Sequence, residues 1–302
     1  MNWEGEVPTE PKRFRKARLG RASTSRYGEI RTEQFYMQWH ALMMRQETRM
    51  AGSEIEFAEP QSPDLGDCYF YHRMVLPDVG EVGGEWDLRS NPGAYLGQTD
   101  FAGKRVLEIG PASGFLTALM ERAGAEVVAV DLPVDHGWDV VPRPDVGEEW
   151  LANRREHLKR VHNGFWFTHR KLHLKARVIY ERVQDLPLTI GPFDVSLIAA
   201  VLVHCRDPMG VLCRCCQLTR QRVVVTQSIL GGIKSTFPVM ALVPSPDNGA
   251  IDSWWNIPAE TVATMLQVMG FVKTNITYYQ QLNHAAQQWV PHYTVVGERP
   301  SP

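Results

Sequence analysis

An acid, two glycines four residues apart and a second acid one strand later are the residues of this chain whose types and spacing suggest chemistry. In VLEIGPASGFLTALMERAGAEVVAVDLP, residues 106 to 133, Glu108 sits near the end of one apolar run, Gly110 and Gly114 interrupt it, and Asp131 closes the next. Where a parallel strand turns into its helix, a ligand must approach the backbone closely, and a side chain at Gly110 or Gly114 would block it. The turn reads Gly110-Pro111-Ala112-Ser113-Gly114, so the three-glycine fingerprint that seats a pyrophosphate on a helix N-terminus is absent. A Gly-Lys-Ser/Thr for a nucleoside triphosphate is absent too. What remains is a nucleoside without phosphates. Asp131, followed by Leu132, is placed to accept hydrogen bonds from two ribose hydroxyls, a role that needs an ionised carboxylate. Glu108 suits a water or an ammonium, which adds an amino-acid tail to the nucleoside.

Such residues need a frame. From 104 onward apolar strands and amphipathic helices alternate, which predicts an α/β fold: a seven-stranded, mostly parallel, doubly wound sheet with helices on both faces. Strands are expected at 104–109, 126–131, 176–181, 193–199, 222–228, 272–278 and 291–297, and helices at 113–123, 148–172 (broken), 208–219 and 258–269. The last helix is well marked, with Pro258 in its first turn, Val262, Met265, Leu266 and Met269 on one face, and Gly270 to stop it. Ahead of this domain (101–302), residues 1–30 read as a flexible basic tail. Residues 31–100 read as a helical lead-in or cap, with Phe35, Trp39, Leu42 and Met43 on one helix face and a possible strand in CYFYHRMVL.

The composition is that of an ordinary soluble protein: 302 residues, 44% hydrophobic, 22% charged. No apolar run approaches the roughly 20 residues that cross a bilayer, and the N-terminal stretch MNWEGEVPTEPKRFRKARLGR lacks a secretory h-region, so a cytoplasmic location is expected. A formal net charge of −2 gives no overall pull toward nucleic acid, although Lys12 to Arg26 is locally basic. Of five cysteines, Cys213, Cys215 and Cys216 lie together without a second ligand pair, so no metal site is expected.

Glu-x-Gly-x-x-x-Gly followed by a strand-ending acid resembles the first two motifs of the class I S-adenosylmethionine-dependent methyltransferases, whose fold is Rossmann-like. YERVQDLP resembles their loop after the third strand, which covers the adenine, and FDVSLIAAVLVHCRDP their fourth strand and the turn beyond it. The likeness runs from about 104 to 298. Within the superfamily the chain is similar to the tRNA wobble-uridine (mo5U34) methyltransferase-like group, through Leu202, His204, Asp207 and Pro208 and through WWNIP, and to bacterial small-molecule relatives through YHRMVLPD and YLGQTDFAGKRVLEIG. Two departures matter. The tRNA enzymes carry a Tyr before the motif His and an Arg on the C-terminal strand for a carboxylated cofactor; here the positions read Val203 and, at the nearest match, His292. An extra buried carboxylate would go unpaired there, so ordinary S-adenosylmethionine is the expected cofactor.

The resemblance implies roles for further residues. Glu108, Gly110, Pro111, Gly114, Asp131 and Leu132 would hold the cofactor together with Val183 and Gln184 on the adenine loop and with Ala199 and Ala200, whose small size lets the methionine arm pass. His204, after the fourth strand, would meet the methyl acceptor as base or orienting group, with Tyr71 and His72 reaching the mouth from the lead-in. Trp138, Trp166, Trp254 and Trp255 are expected to supply an aromatic lid for a flat acceptor, Trp254 and Trp255 foremost. The expected activity is direct methyl transfer to a small, aromatic or heteroaromatic metabolite, with a homodimer as one possible assembly. Alternatives on the same fold are an RNA methyltransferase using the basic tail, an enzyme that cyclises or cleaves S-adenosylmethionine, and a non-catalytic cofactor-binding protein.

Overall fold

The first strands are short. In a computed structural model, which describes residues 55–135, 139–144, 146–233 and 235–300, β1 (Met74–Leu76) and β2 (Gly80–Val82) form a hairpin. β3 (Trp86–Asp87) follows, then a one-turn helix, α1 (Pro92–Tyr95), capped by the Asn91 side chain. Strict alternation begins with β4 (Arg105–Ile109), α2 (Phe115–Arg122), β5 (Glu126–Asp131), α3 (Glu148–Leu172) and β6 (Arg177–Tyr180). It continues through β7 (Phe193–Ala199), α4 (Pro208–Leu218) and β8 (Thr219–Ser228). A small pair, β9 (Ala241–Leu242) and β10 (Trp255–Asn256), precedes α5 (Ala259–Val268), β11 (Lys273–Asn283) and β12 (Gln288–Glu298). The basic tail and the helix expected at 31–50 lie outside the described residues, as does Trp138. The described residues all fall in one compact unit, Ser53–Pro302.

The main sheet has the order β3-β11-β12-β8-β7-β4-β5-β6. Its centre, β8 to β6, is parallel, and β12, β11 and β3 close one side antiparallel. This is the Rossmann-like, doubly wound sheet the alternation predicts, with eight strands instead of seven. The eighth, β3, is two residues long and joins the sheet through Leu282 and Asn283 of β11, too short to leave a periodic signal. The chain winds from β4 out to β6, then returns to place β7 on the other side of β4. The carboxyl ends of β4 and β7 therefore part at a topological switch point, where a crevice must open.

Alternation along the strands buries both faces. Val106, Val127, Ala129 and Leu197 pack with Leu116, Met120 and Phe165 of α2 and α3, whereas Leu107, Ile109, Val128, Val130 and Ile198 pack with Leu212, Cys215, Val262 and Leu266 of α4 and α5. Each fully buried aliphatic side chain contributes roughly 1.5–3 kcal/mol, so this double layer anchors the crevice rigidly. Helix starts follow local chemistry: Asp207 accepts a hydrogen bond from Gly210 N at 2.8 Å and Pro208 takes the first turn of α4.

α3 runs unbroken for 25 residues, where a break was expected. It contains no proline, and Gly164 is retained because the lead-in crosses it: a Cβ there would collide with the Tyr69 carbonyl oxygen. Tyr69 N in turn donates to Arg160 O at 2.8 Å. The possible strand in CYFYHRMVL is realised only at Met74–Leu76, with His72 forming an isolated bridge to Trp86.

Candidate functional site

The crevice is a cleft, open to solvent, along the carboxyl edge of β6, β5, β4 and β7. Its lining follows that order: Val183 and Gln184 beyond β6, Asp131 and Leu132 at β5, Gly110 and Ala112 at β4, then Ala199, Ala200 and His204 at β7. Three strand spacings of about 4.8 Å separate the first group from the last. Ile109, Val130, Leu158, Val161 and Val211 make the walls apolar.

The glycine turn is held by its backbone. Gly110 has φ +70°, donates to Val130 O at 2.9 Å, and has no room for a Cβ, which would stand 2.8 Å from Val201 Cγ2. Gly114 (φ +83°) is the N-cap of α2 and faces Phe165 and Thr168 of α3, so its bareness serves helix packing, and it does not line the cleft. Ser113, fully buried between the two, accepts from the amides of Tyr71 (3.1 Å) and His72 (3.4 Å), fastening the lead-in to the turn. Opposite, Ala200 adopts the left-handed region (φ +56°) and donates to Thr226 O at 2.7 Å. An L-residue there is uncommon and clusters at functional sites, while alanine keeps the passage narrow-walled and clear.

Asp131 is the charged centre. Oδ1 accepts from Leu132 N at 2.8 Å, and Oδ2 lies 3.7 Å from His162 Nε2. Burial raises its pKa from 3.8 to about 7, because among the described residues no Lys or Arg nitrogen lies within ion-pair distance of it. Glu108 is a different case: it is 1% exposed, accepts from Thr117 Oγ1 at 2.6 Å, and does not line the cleft. Its Oε1 is buried without a partner, and burial pushes its pKa up to about 8.

The β7 end is polar and aromatic. His204 ends a short 3-10 turn, Leu202–His204, and its Nδ1 lies 2.5 Å from Asp252 O. A carbonyl only accepts, so Nδ1 carries a proton toward Asp252 O. Asp252 is itself anchored by Arg154 Nη2 at 3.0 Å. Tyr71, His72, Tyr95, His157, Asp139 and Cys205 complete this end. His72 is 6% exposed with Nδ1 unpartnered, and burial takes its pKa down to about 4; burial likewise lifts that of Tyr71 to about 12. Both groups are therefore neutral near pH 7.

Of the tryptophans expected to form a lid, the three among the described residues are placed elsewhere. Trp166 is 1% exposed in the core under the sheet, with Nε1 donating to Tyr180 Oη at 2.9 Å. Trp254 Nε1 donates to Asp139 O and Trp255 Nε1 to Arg206 O (3.2 Å), so both brace the loops around the cleft without lining it. Pro111 is likewise outside the lining. Aromatic content gave no direction here: the rings that face the cleft are Tyr71, Tyr95, His72, His157 and His204. Of the residues the sequence reading passed over, Tyr95 and His157 lie on one helix each, and nothing in spacing alone singles them out.

No family model matches the chain. Among curated proteins it is 25% identical over 122 residues to the ubiquinone biosynthesis O-methyltransferase of Methylococcus capsulatus, covering 40% of this chain and 41% of that protein. The match thus spans less than half of that relative. Among solved structures, the N-terminal domain of EvdMO1 with S-adenosylhomocysteine bound is 16% identical, covering 86% of this chain and 97% of that one, at a TM-score of 0.44. The magnesium protoporphyrin IX methyltransferase (ChlM) of Synechocystis PCC 6803, with bound S-adenosylhomocysteine, is 13% identical over 70% of this chain and 82% of its own, also at 0.44. The 1,6-didemethyltoxoflavin-N1-methyltransferase of Burkholderia thailandensis is 17% identical over 69% of this chain and 75% of its own, at 0.42.

Proposed function

We propose that this chain, built on the Rossmann-like sheet of the class I methyltransferases, binds S-adenosylmethionine in the switch-point cleft and methylates a small aromatic or heteroaromatic molecule. One observation carries the proposal: the order of the lining from β6 to β7 is that of the ligand's own parts. Val183 and Gln184 bound an apolar slot for the adenine, Asp131 offers both oxygens to the ribose, and Gly110, Ala199 and Ala200 leave backbone bare for the methionine arm. Among the described residues no Lys or Arg nitrogen lies within ion-pair distance of Asp131, so a phosphate placed against it would meet an unbalanced acid.

Bound S-adenosylmethionine supplies a methyl group already activated by a positive sulfur. The chain's own residues then need to align the acceptor and exclude water. Tyr71, Tyr95, His72 and His157 suit an aromatic acceptor by stacking and edge contacts, without a fixed charge. His204, held in one tautomer by Asp252 O, takes the proton of an acceptor hydroxyl or ring N–H through Nε2. The net charge of −2 favours a small acceptor over nucleic acid, and the five unpaired cysteines favour the cytoplasm. Among the described residues no helix is long and apolar enough to cross a membrane.

The test is turnover against a panel of phenols, catechols and N-heterocycles, with the nucleoside product identified. S-adenosylhomocysteine together with a methylated acceptor supports the proposal. Methylthioadenosine indicates cyclisation or cleavage instead, and binding without turnover on any acceptor indicates a cofactor-binding protein.

A further inference from the structure

Behind Asp131 the structure holds a nitrogen with no task in the fold. His162 Nε2 is buried, its side chain 8% exposed, and makes no hydrogen bond among the described residues. Buried donors without partners are rare in native interiors, and each one asks for a reason. The ring is not misplaced by loose packing. It stacks on Tyr180, with centroids 4.3 Å apart and planes at 29°, and the Tyr180 hydroxyl is held in turn by Trp166 Nε1 at 2.9 Å. Tyr180 ends β6 in register with Asp131 at the end of β5. The stack therefore delivers the imidazole to one place, 3.7 Å from Asp131 Oδ2, about 0.8 Å beyond a normal hydrogen bond.

The two carboxylate oxygens are treated unequally without it. Oδ1 is anchored by Leu132 N at 2.8 Å, whereas among the described residues Oδ2 has only His162 in range, so the carboxylate plane can turn about its bond to Cβ. Two ribose hydroxyls need that plane fixed. We propose that His162 is a positioning residue for the cofactor ribose: its Nε2–H closes onto Asp131 Oδ2 when the nucleoside binds, leaving each oxygen one lone-pair direction for one hydroxyl. The inference rests on reading the cleft as the S-adenosylmethionine site. It also gives Trp166 a task as the support of Tyr180, with Tyr180, His162 and Asp131 between it and the ligand.

His162 acts here as a neutral donor. Burial takes its pKa down to about 4, so it brings no counter-charge. The groups facing the pair are Asp131 itself, Tyr180 from β6 and Glu108 from β4, with Lys159 of the same helix lining the small side pocket beside His162. A donor to the carboxylate favours its ionised form and lowers the pH at which binding is lost.

The experiment is calorimetric titration of the full chain with S-adenosylhomocysteine between about pH 6 and about pH 8, using His162→Phe, which keeps a ring for the stack, and His162→Gln, whose amide nitrogen reaches the place of Nε2. His162→Phe should bind about tenfold more weakly, the worth of one hydrogen bond to a charged group, and its binding midpoint should move to higher pH. His162→Gln should restore most of both. A purely structural histidine would lower the melting temperature of His162→Phe and leave the midpoint where it was. Should the variants not fold, imidazole 15N spectra of the wild type decide: a protonated Nε2 that shifts on adding S-adenosylhomocysteine supports the role, and an unmoved signal overturns it. Equal affinity and midpoint in wild type and His162→Phe overturn the role of His162 alone. A wild type that does not bind S-adenosylhomocysteine overturns the reading of the cleft, and this inference with it.

Discussion

Acid should loosen the cleft's hold on S-adenosylhomocysteine by a calculable amount. Burial places the Asp131 pKa at about 7, and the ribose hydroxyls donate to the ionised form. The apparent Kd then scales as one plus the protonated-to-ionised ratio of the free protein. That factor is about 1.1 at about pH 8 and about 11 at about pH 6, a tenfold loss worth about 1.4 kcal/mol. The sign is fixed by the raised pKa: affinity is full above about pH 7 and falls about tenfold per unit below it. Asp131→Asn retains an acceptor but cannot ionise, so its titrations should lie flat across this range and, at the alkaline end, weaker than wild type by about 1–3 kcal/mol. Calorimetry with S-adenosylhomocysteine at constant ionic strength reads both quantities. Adenosine in parallel should give the same slope, because it carries the ribose without the amino-acid end. A slope that survives in Asp131→Asn would refute the reasoning, and its disappearance in Glu108→Gln instead would move the titrating group to β4.

Glu108→Gln should itself stabilise the fold. The folded state keeps Glu108 protonated to about pH 8 while the unfolded chain releases that proton near 4.5, so stability falls as pH rises between the two. The cost reaches on the order of 3 kcal/mol at about pH 7, and urea melts should show the variant's advantage widening with pH up to about 8. An advantage independent of pH would contradict this account. Gly110→Ala, forced to φ +70° with its Cβ 2.8 Å from Val201 Cγ2, should lose about 1–3 kcal/mol of stability and most cofactor affinity, read by thermal melts with and without S-adenosylhomocysteine. His204→Ala should leave S-adenosylhomocysteine affinity within about threefold of wild type and lower turnover on a hydroxyl or N–H acceptor by about 100-fold or more. Turnover that persists would make the histidine a brace for Asp252.

Local and non-local information act on different parts of this molecule. β5 and β7 are legible in the sequence to the residue, at 126–131 and 193–199, and Gly110, Asp131 and the small pair Ala199–Ala200 line the cleft edge that the strand ends predict. Those features are local: an apolar run of strand length, a glycine required by a positive φ, and an acid at a strand end each leave their signal within a few residues. The Asp207-Pro208 motif belongs with them, because a helix cap acts within its own first turn.

Direction was not local. A tryptophan reads the same whether it faces a ligand or a neighbouring helix. Only the packing of α3 under the sheet put Trp166 in the core, and only the loops brought by Asp139 and Arg206 turned Trp254 and Trp255 into braces. His162 and Tyr95 come near the cleft from segments distant in the chain from the strand ends they approach, and β3 pairs across roughly 200 residues of sequence, as contacts between separate elements do. The chain's own order of residues therefore determined the sheet, its switch point and the backbone that a nucleoside would meet, since these follow from periodicity and turns. Which side chains close around that backbone was decided by tertiary packing, because a rotamer's surroundings are set by helices and loops that the covalent neighbours of a residue do not specify.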